Sequence, residues 1–137
     1  MGRRDRFPSD ALVGLHVLVV DDDPEARTLV QTVLEYAGAL VTLVPGAREA
    51  LRNLHRVTPD VLVTDIAMPD ENGYWLIREV RALGAVSGHR LPTIAITAHS
   101  DAHGPERTLA AGFDAHLRKP VDPWELCRVI AALGRRD

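Results

Sequence analysis

The sequence predicts an α/β domain on a five-stranded parallel sheet, order 2-1-3-4-5, with five helices on its two faces. Three observations carry this. Short apolar runs alternate five times with stretches of helical periodicity along 137 residues, the pattern of successive β–α units. The clearest run, Val17–Val20, is continuously apolar, as a strand buried on both faces requires. The conspicuous polar residues follow strands one, three, four and five, the edge at which open α/β sheets bind ligands.

The elements follow in order. Residues 1–10 are polar, punctuated by Pro8 and Ser9, and read as a loose tail ahead of a domain over 11–134. Val17–Val20 is the first strand. Asp21, Asp22 and Asp23 follow it, and Pro24 stands at a first helical position. Ala26, Leu29, Val30, Val33, Leu34 and Ala37 keep helical spacing until Gly38 stops them. Leu40–Val44 is the second strand. Ala47, Ala50, Leu51 and Leu54 mark the second helix, closed by Pro59. Val61–Thr64 is the third strand and ends in Asp65. A loop follows, in which Glu71, Asn72 and Gly73 turn into a third helix marked by Leu76, Ile77, Val80 and Leu83. Thr93–Thr97 is the fourth strand, Pro105–Ala111 a short helix and Ala115–Arg118 a short fifth strand. Leu126, Cys127, Ile130 and Leu133 mark the last helix, entered through Asp122 as cap and Pro123. Residues 135–137 form a C-terminal tail, which leaves no room for an attached output domain.

Composition excludes several classes. Hydrophobic residues at 46% and charged residues at 26% argue against disorder. The net charge is −3, and each tail carries +1, so the body carries −5. An acidic body with no basic face is a poor nucleic-acid binder. One cysteine, Cys127, excludes an internal disulfide and fits a reducing, cytoplasmic setting. Ala11–Val20 contains His16 and runs into acid without a cleavage site, so it is a strand and not an export signal. No run approaches the roughly 18 apolar residues of a membrane span, and Arg6 stands where myristoylation needs Ser or Thr.

The sheet order brings Asp21 and Asp22, Asp65, Thr97 and Lys119 to one edge. Three carboxylates in one pocket repel unless a cation intervenes. An all-oxygen set without thiolate or imidazole suits a hard ion, Mg²⁺ first, with Mn²⁺ as the alternative. A hydroxyl and an ammonium beside them suit a phosphoryl group under attack by a carboxylate. Lys119 is the one lysine among 15 arginines, so a compact point charge is singled out there.

The segments Val17-Leu-Val-Val-Asp-Asp-Asp-Pro24, Asp60-Val-Leu-Val-Thr-Asp65-Ile-Ala-Met-Pro69, Pro92-Thr-Ile-Ala-Ile-Thr97-Ala98 and Lys119-Pro120 resemble receiver domains of two-component response regulators, including those of hybrid sensor kinases. The resemblance spans residue 15 to about 133 and implies a flavodoxin-like fold. It implies Asp65 as phosphoacceptor and Asp22, Asp65 and the Ala67 backbone carbonyl as direct metal ligands, with Asp21 acting through water. It implies that Thr97 holds a phosphoryl oxygen, that Lys119 pairs with the phosphate, and that Lys119–Pro120 is cis. It further implies a histidine kinase or phosphotransfer protein as donor, a downstream protein as target, and repacking of the surface around helix 4, strand 5 and helix 5. The chain is then a monomer or weak dimer, either a stand-alone regulator or a domain of a longer protein. Many receivers carry Tyr or Phe three residues before the lysine; here His116 stands there, which makes the switch weaker or pH-sensitive. Ala67 offers no polar side chain to orient water, so self-dephosphorylation is at most moderate.

Blander readings stand beside these. Asp23 is a cap or a group behind the site. His99 and His103, with His89 upstream, have zinc-like spacing, but Gly104 and Pro105 place them in a loop or helix start. His16 and His55 are read as surface residues. Tyr74 and Trp75 half-cover helix 3, Trp124 is a structural anchor or a partner contact, and Cys127 is a buried small hydrophobe. The competing function is a phosphorylation-independent interaction module on the same fold. A hydrolase with an aspartyl-phosphate intermediate lacks a substrate cap here, a flavin protein lacks its phosphate loop, and no Walker motif is present.

Overall fold

The computed structural model describes residues 10–98 and 104–135. Its elements are β1 (His16–Val20), α1 (Pro24–Tyr36), β2 (Leu40–Val44), α2 (Ala47–Leu54), β3 (Val61–Asp65), α3 (Gly73–Ser87), β4 (Thr93–Thr97), α4 (Gly104–Ala111), β5 (Ala115–Arg118) and α5 (Pro123–Gly134). All pairings are parallel and the sheet order is β2-β1-β3-β4-β5. The register sets Val20 beside Thr64, Asp65 beside Ile96 and Thr97 beside Arg118. The carboxyl ends of the three central strands therefore finish together.

Strand alternation divides the core into two layers. Val17, Val19, Val61, Val63, Ile94 and Ile96 pack with α1 and α5 residues such as Leu34, Leu126 and Ile130. Leu18, Val20, Leu62 and Ala95 pack on the opposite side with Ala50 of α2 and Leu76, Ile77 and Val80 of α3. Leu18, Leu62, Ile94 and Leu126 are almost completely buried, each contributing about 1.5–3 kcal/mol of burial free energy. Cys127 lies in the first layer, as expected of a small hydrophobe.

The caps match the chemistry at the helix starts. Asp23 accepts from the Glu25 amide, Asn72 from the Trp75 amide, and Asp122 from the Trp124 amide. α2 stops at Leu54, five residues before Pro59. The His55 amide closes the last turn on Leu51, and Thr58, preceding a proline, is disfavoured in helical conformation. His16 is not a plain surface residue. It is half-buried at the start of β1, its Nε2 lies 2.7 Å from Thr42 Oγ1, and its amide donates to Asp60. Strand pairing puts Thr42 on the neighbouring strand within its reach, a relation the sequence spacing hides. His55 is exposed.

Among the aromatics, Trp124 meets Tyr36 edge to face at 5.7 Å and packs on the α1–α5 layer, an anchoring contact between those helices. Trp75 lies under Arg48, and Tyr74 lies between Arg107 and Phe113. Arg81 of α3 donates to the carbonyls of Leu91 and Gly112 and pairs with Asp114 at 3.1 Å, tying α3 to the segments that enter β4 and β5. Among the described residues no helix is long and apolar enough to cross a membrane.

Candidate functional site

The site is assembled from three strand ends. After β1 the chain turns sharply, and the turn is held twice. Asp21 Oδ1 accepts from the Asp23 amide at 2.9 Å, and Arg27 Nη1 donates to the Asp21 carbonyl at 2.7 Å. This turn separates the acidic triplet by role. Asp23 points back to cap α1, whereas Asp21 and Asp22 face Asp65. Oxygens of Asp21, Asp22 and Asp65 all lie within 4.8 Å of one another. Asp65 is 3% exposed, Asp21 half-buried and Asp22 exposed.

Behind Asp65 the backbone is tightly folded. The Gly73 amide donates to the Ile66 carbonyl at 2.8 Å. A Cβ on Gly73 would come within 2.9 Å of the Asp65 carbonyl and 2.8 Å of Ile66 Cδ1, so only glycine lets α3 begin this close to the phosphoacceptor candidate. Ala67, two residues past Asp65, is exposed.

The opposite wall comes from β4 and β5. Lys119 Nζ donates to Asp65 Oδ2 at 2.6 Å, and the Lys119 amide donates to the Thr97 carbonyl at 2.8 Å. The Lys119–Pro120 peptide is cis. Burial alone would lower the Lys119 pKa. The hydrogen bond to Asp65 and the charges of Asp65, Asp21 and Asp22 more than reverse this, and it is raised. Asp21 is pushed above the ordinary aspartate range, chiefly by burial; the Asp23 amide opposes this and the charge of Asp65 adds to it. A cleft of about 510 Å³ opens beside the pair, with Leu29, Val30 and Leu126 among its apolar walls.

Thr97 is buried at the end of β4, and its hydroxyl lies 3.0 Å from His116 Nε2. Both residues lie on the α4 side of the sheet. The other imidazole nitrogen, Nδ1, lies 2.9 Å from Thr108 Oγ1 on α4. The structure thus brings Asp21, Asp22, Asp65 and Lys119 into one cluster and links Thr97 to His116 beside it. His99 and His103 lie outside the described residues.

Two partners escaped the sequence reading. Thr108 is fully buried and touches His116; its only trace is a threonine on the inner face of a weak helix. Arg27 fixes the β1 turn, and one more arginine among 15 carries no signal of that.

The donor set is all carboxylate, with an ammonium at its edge, and fits a small hard cation. The family model for the response regulator receiver domain matches residues 17–131, and the chain belongs to that family. Over 119 residues it is 46% identical to an uncharacterized 14.6 kDa protein in the sodA1 3′ region of Leptolyngbya boryana, covering 87% of this chain and 89% of that protein. Over 115 residues it is 36% identical to the sensor protein GacS of Pseudomonas syringae pv. syringae, covering 83% of this chain but 13% of GacS. The crystal structure of the receiver domain of sensor histidine kinase PA1611 from Pseudomonas aeruginosa PAO1 superposes with a TM-score of 0.80. It is 33% identical, covers 90% of this chain and 100% of that one, and has a magnesium ion coordinated in its active-site cleft.

Proposed function

We propose that this chain is a cytoplasmic receiver in which Asp65 accepts a phosphoryl group from a phosphohistidine on a histidine kinase or phosphotransfer protein. The observation that carries this is the buried Asp65 carboxylate, held at 2.6 Å by Lys119 and flanked by Asp21 and Asp22. A carboxylate oxygen of Asp65 attacks phosphorus, the P–N bond to the imidazole breaks as the P–O bond forms, and the imidazole leaves with the electron pair. Lys119 meets the negative charge on the phosphoryl oxygens. The Thr97 hydroxyl donates to one of them.

Asp21, Asp22, Asp65 and the Ala67 carbonyl are the residues that would hold Mg²⁺, with Asp21 acting through water. When bound, the metal supplies positive charge that lets three carboxylates and a phosphoryl group share one pocket. Phosphorylation then alters the surface of α4, β5 and α5, where a downstream protein docks. The contact from Thr97 through His116 to Thr108 supports this, since it joins the site to α4.

Acyl phosphates are cleaved by hydroxylamine, and phosphohydroxyl esters are not. Label transferred from a phosphohistidine donor is expected to be released by hydroxylamine and to be missing from Asp65→Asn. Hydroxylamine-stable label, or label on the Asn variant, would assign a different acceptor.

A further inference from the structure

We infer that Thr108 is a positioning residue that fixes the tautomer of His116, so that Thr97 turns its hydroxyl hydrogen toward the phosphoryl site only when His116 takes up a proton. This deepens the phosphoacceptor reading and rests on it.

The inference follows from counting hydrogens. A threonine hydroxyl has one hydrogen. Thr108 Oγ1 donates it to the Pro105 carbonyl at 3.0 Å. At its 2.9 Å contact with His116 Nδ1 the same oxygen therefore accepts, and Nδ1 carries the hydrogen. A neutral imidazole has one N–H, so Nε2 has none. At the 3.0 Å contact with Thr97, Nε2 accepts and the Thr97 hydroxyl donates. In the unphosphorylated state the Thr97 hydrogen is thus directed into His116.

Protonation reverses one bond and leaves the other. The imidazolium donates from both nitrogens. Nδ1 keeps Thr108, while Nε2–H now points at a Thr97 lone pair, and the Thr97 hydrogen is free to reach a phosphoryl oxygen on Asp65. Phosphorylation at Asp65 and proton uptake at His116 then favour each other, as linkage requires. The helix α4 is part of the circuit, because Thr108 and Pro105 both belong to it.

Among the described residues, β4 and α4 pack on the His116 side of β5, and α5 packs on the other side against Ala115 and Leu117. β4 carries no charged residue; α4 brings Glu106 and Arg107, and the β5 segment itself brings Asp114, Arg118 and Lys119. None of these residue types titrates between pH 6 and 8 at its ordinary value, whereas histidine does.

The test is nitrogen NMR of the His116 ring in the full chain, with and without a small phosphoryl donor and Mg²⁺, with protein mass read on the same samples. The unphosphorylated wild type is expected to show the Nδ1–H tautomer, Thr108→Ser to keep it, and Thr108→Val to give a mixture. On phosphorylation the His116 midpoint should move up by about one pH unit, roughly the worth of one hydrogen bond to a charged group. In Thr108→Val that movement should shrink. An Nε2–H tautomer in the wild type overturns the inference, as does an unmoved midpoint in protein whose mass shows the phosphoryl group. A chain that gains no mass defeats the phosphoacceptor reading, and the inference with it.

Discussion

Lys119 Nζ and Asp65 Oδ2 meet at 2.6 Å across 54 residues of chain, with the lysine side chain 40% exposed and the aspartate side chain 4% exposed. The carboxylate is buried at the floor of the site, and the lysine reaches it from the rim. An exposed pair of this kind would contribute little. Here one partner is desolvated, so in the proposed reaction the pair would position the acceptor and carry a cation to where phosphoryl charge develops.

Removing that cation should therefore slow phosphorylation more than it disturbs folding. Lys119→Ala is expected to reduce the initial rate of phosphoryl uptake by about 10- to 100-fold, the equivalent of one charge-assisted hydrogen bond. Lys119→Arg should recover only part, because a planar guanidinium does not replace a compact ammonium. Rates of mass gain from a small donor check this, with circular dichroism confirming the fold.

Asp21 opposes folding at neutral pH in the absence of metal. Asp21 has a raised pKa in the folded state, chiefly from burial, so the folded chain holds that proton more tightly than the unfolded chain. The stability of the metal-free protein therefore falls as pH rises from 3.8 through the folded-state value. Asp21→Asn should raise the melting temperature at pH 7 in chelator by about 2–4 °C. That gain should narrow toward pH 4, and the variant should lose most of the stabilisation magnesium gives the wild type. Thermal melts across pH, with and without Mg²⁺, measure all three.

Arg81 holds the far end of the sheet. Its guanidinium serves the Leu91 and Gly112 carbonyls and Asp114 together. Arg81→Ala strips the Leu91 and Gly112 carbonyls of their donor and leaves Asp114 to Arg90 and the Thr93 amide; it should cost about 2–3 kcal/mol, lowering the melting temperature by roughly 8–12 °C. Burial alone would raise the Asp114 pKa, but hydrogen bonds from Arg90 and the Thr93 amide and the charges of Arg81 and Arg90 hold it below the ordinary value. Its contribution is present above pH 3.8 and is lost as pH falls through the depressed value. Asp114→Asn should therefore flatten the acid limb of the stability curve, read by denaturant titration from pH 5 downward.

Cys127 should be chemically silent. Burial pushes its thiol up to about 11, and thiolate is the reactive form. Iodoacetamide at pH 8 is expected to leave the native protein unlabelled and to modify it fully once denatured. Rapid native labelling would mean that α5 opens.

What was legible in the sequence was what local chemistry determines. The last helix was readable because Asp122 and Pro123 fix its start and its apolar residues repeat at helical spacing. The acidic residues and Lys119 were readable because each follows a strand, and the strand order fixes which ends meet. The end of α2 was misplaced because Pro59 marks where a helix cannot continue, and the last turn had already closed at His55. His16 was misjudged because Thr42 and Asp60 reach it across the sheet. Thr108 and Arg81 were invisible for the same reason: their partners come from other elements, and neither residue breaks a local pattern.

The most direct test of the central claim is the intact mass of the chain after incubation with a small phosphoryl donor, with and without Mg²⁺, for wild type and Asp65→Asn. The predicted result is one phosphoryl group on the magnesium-loaded wild type and none in the other three samples. Equal uptake by wild type and Asp65→Asn, or no uptake by folded wild type with magnesium, would contradict Asp65 as the acceptor.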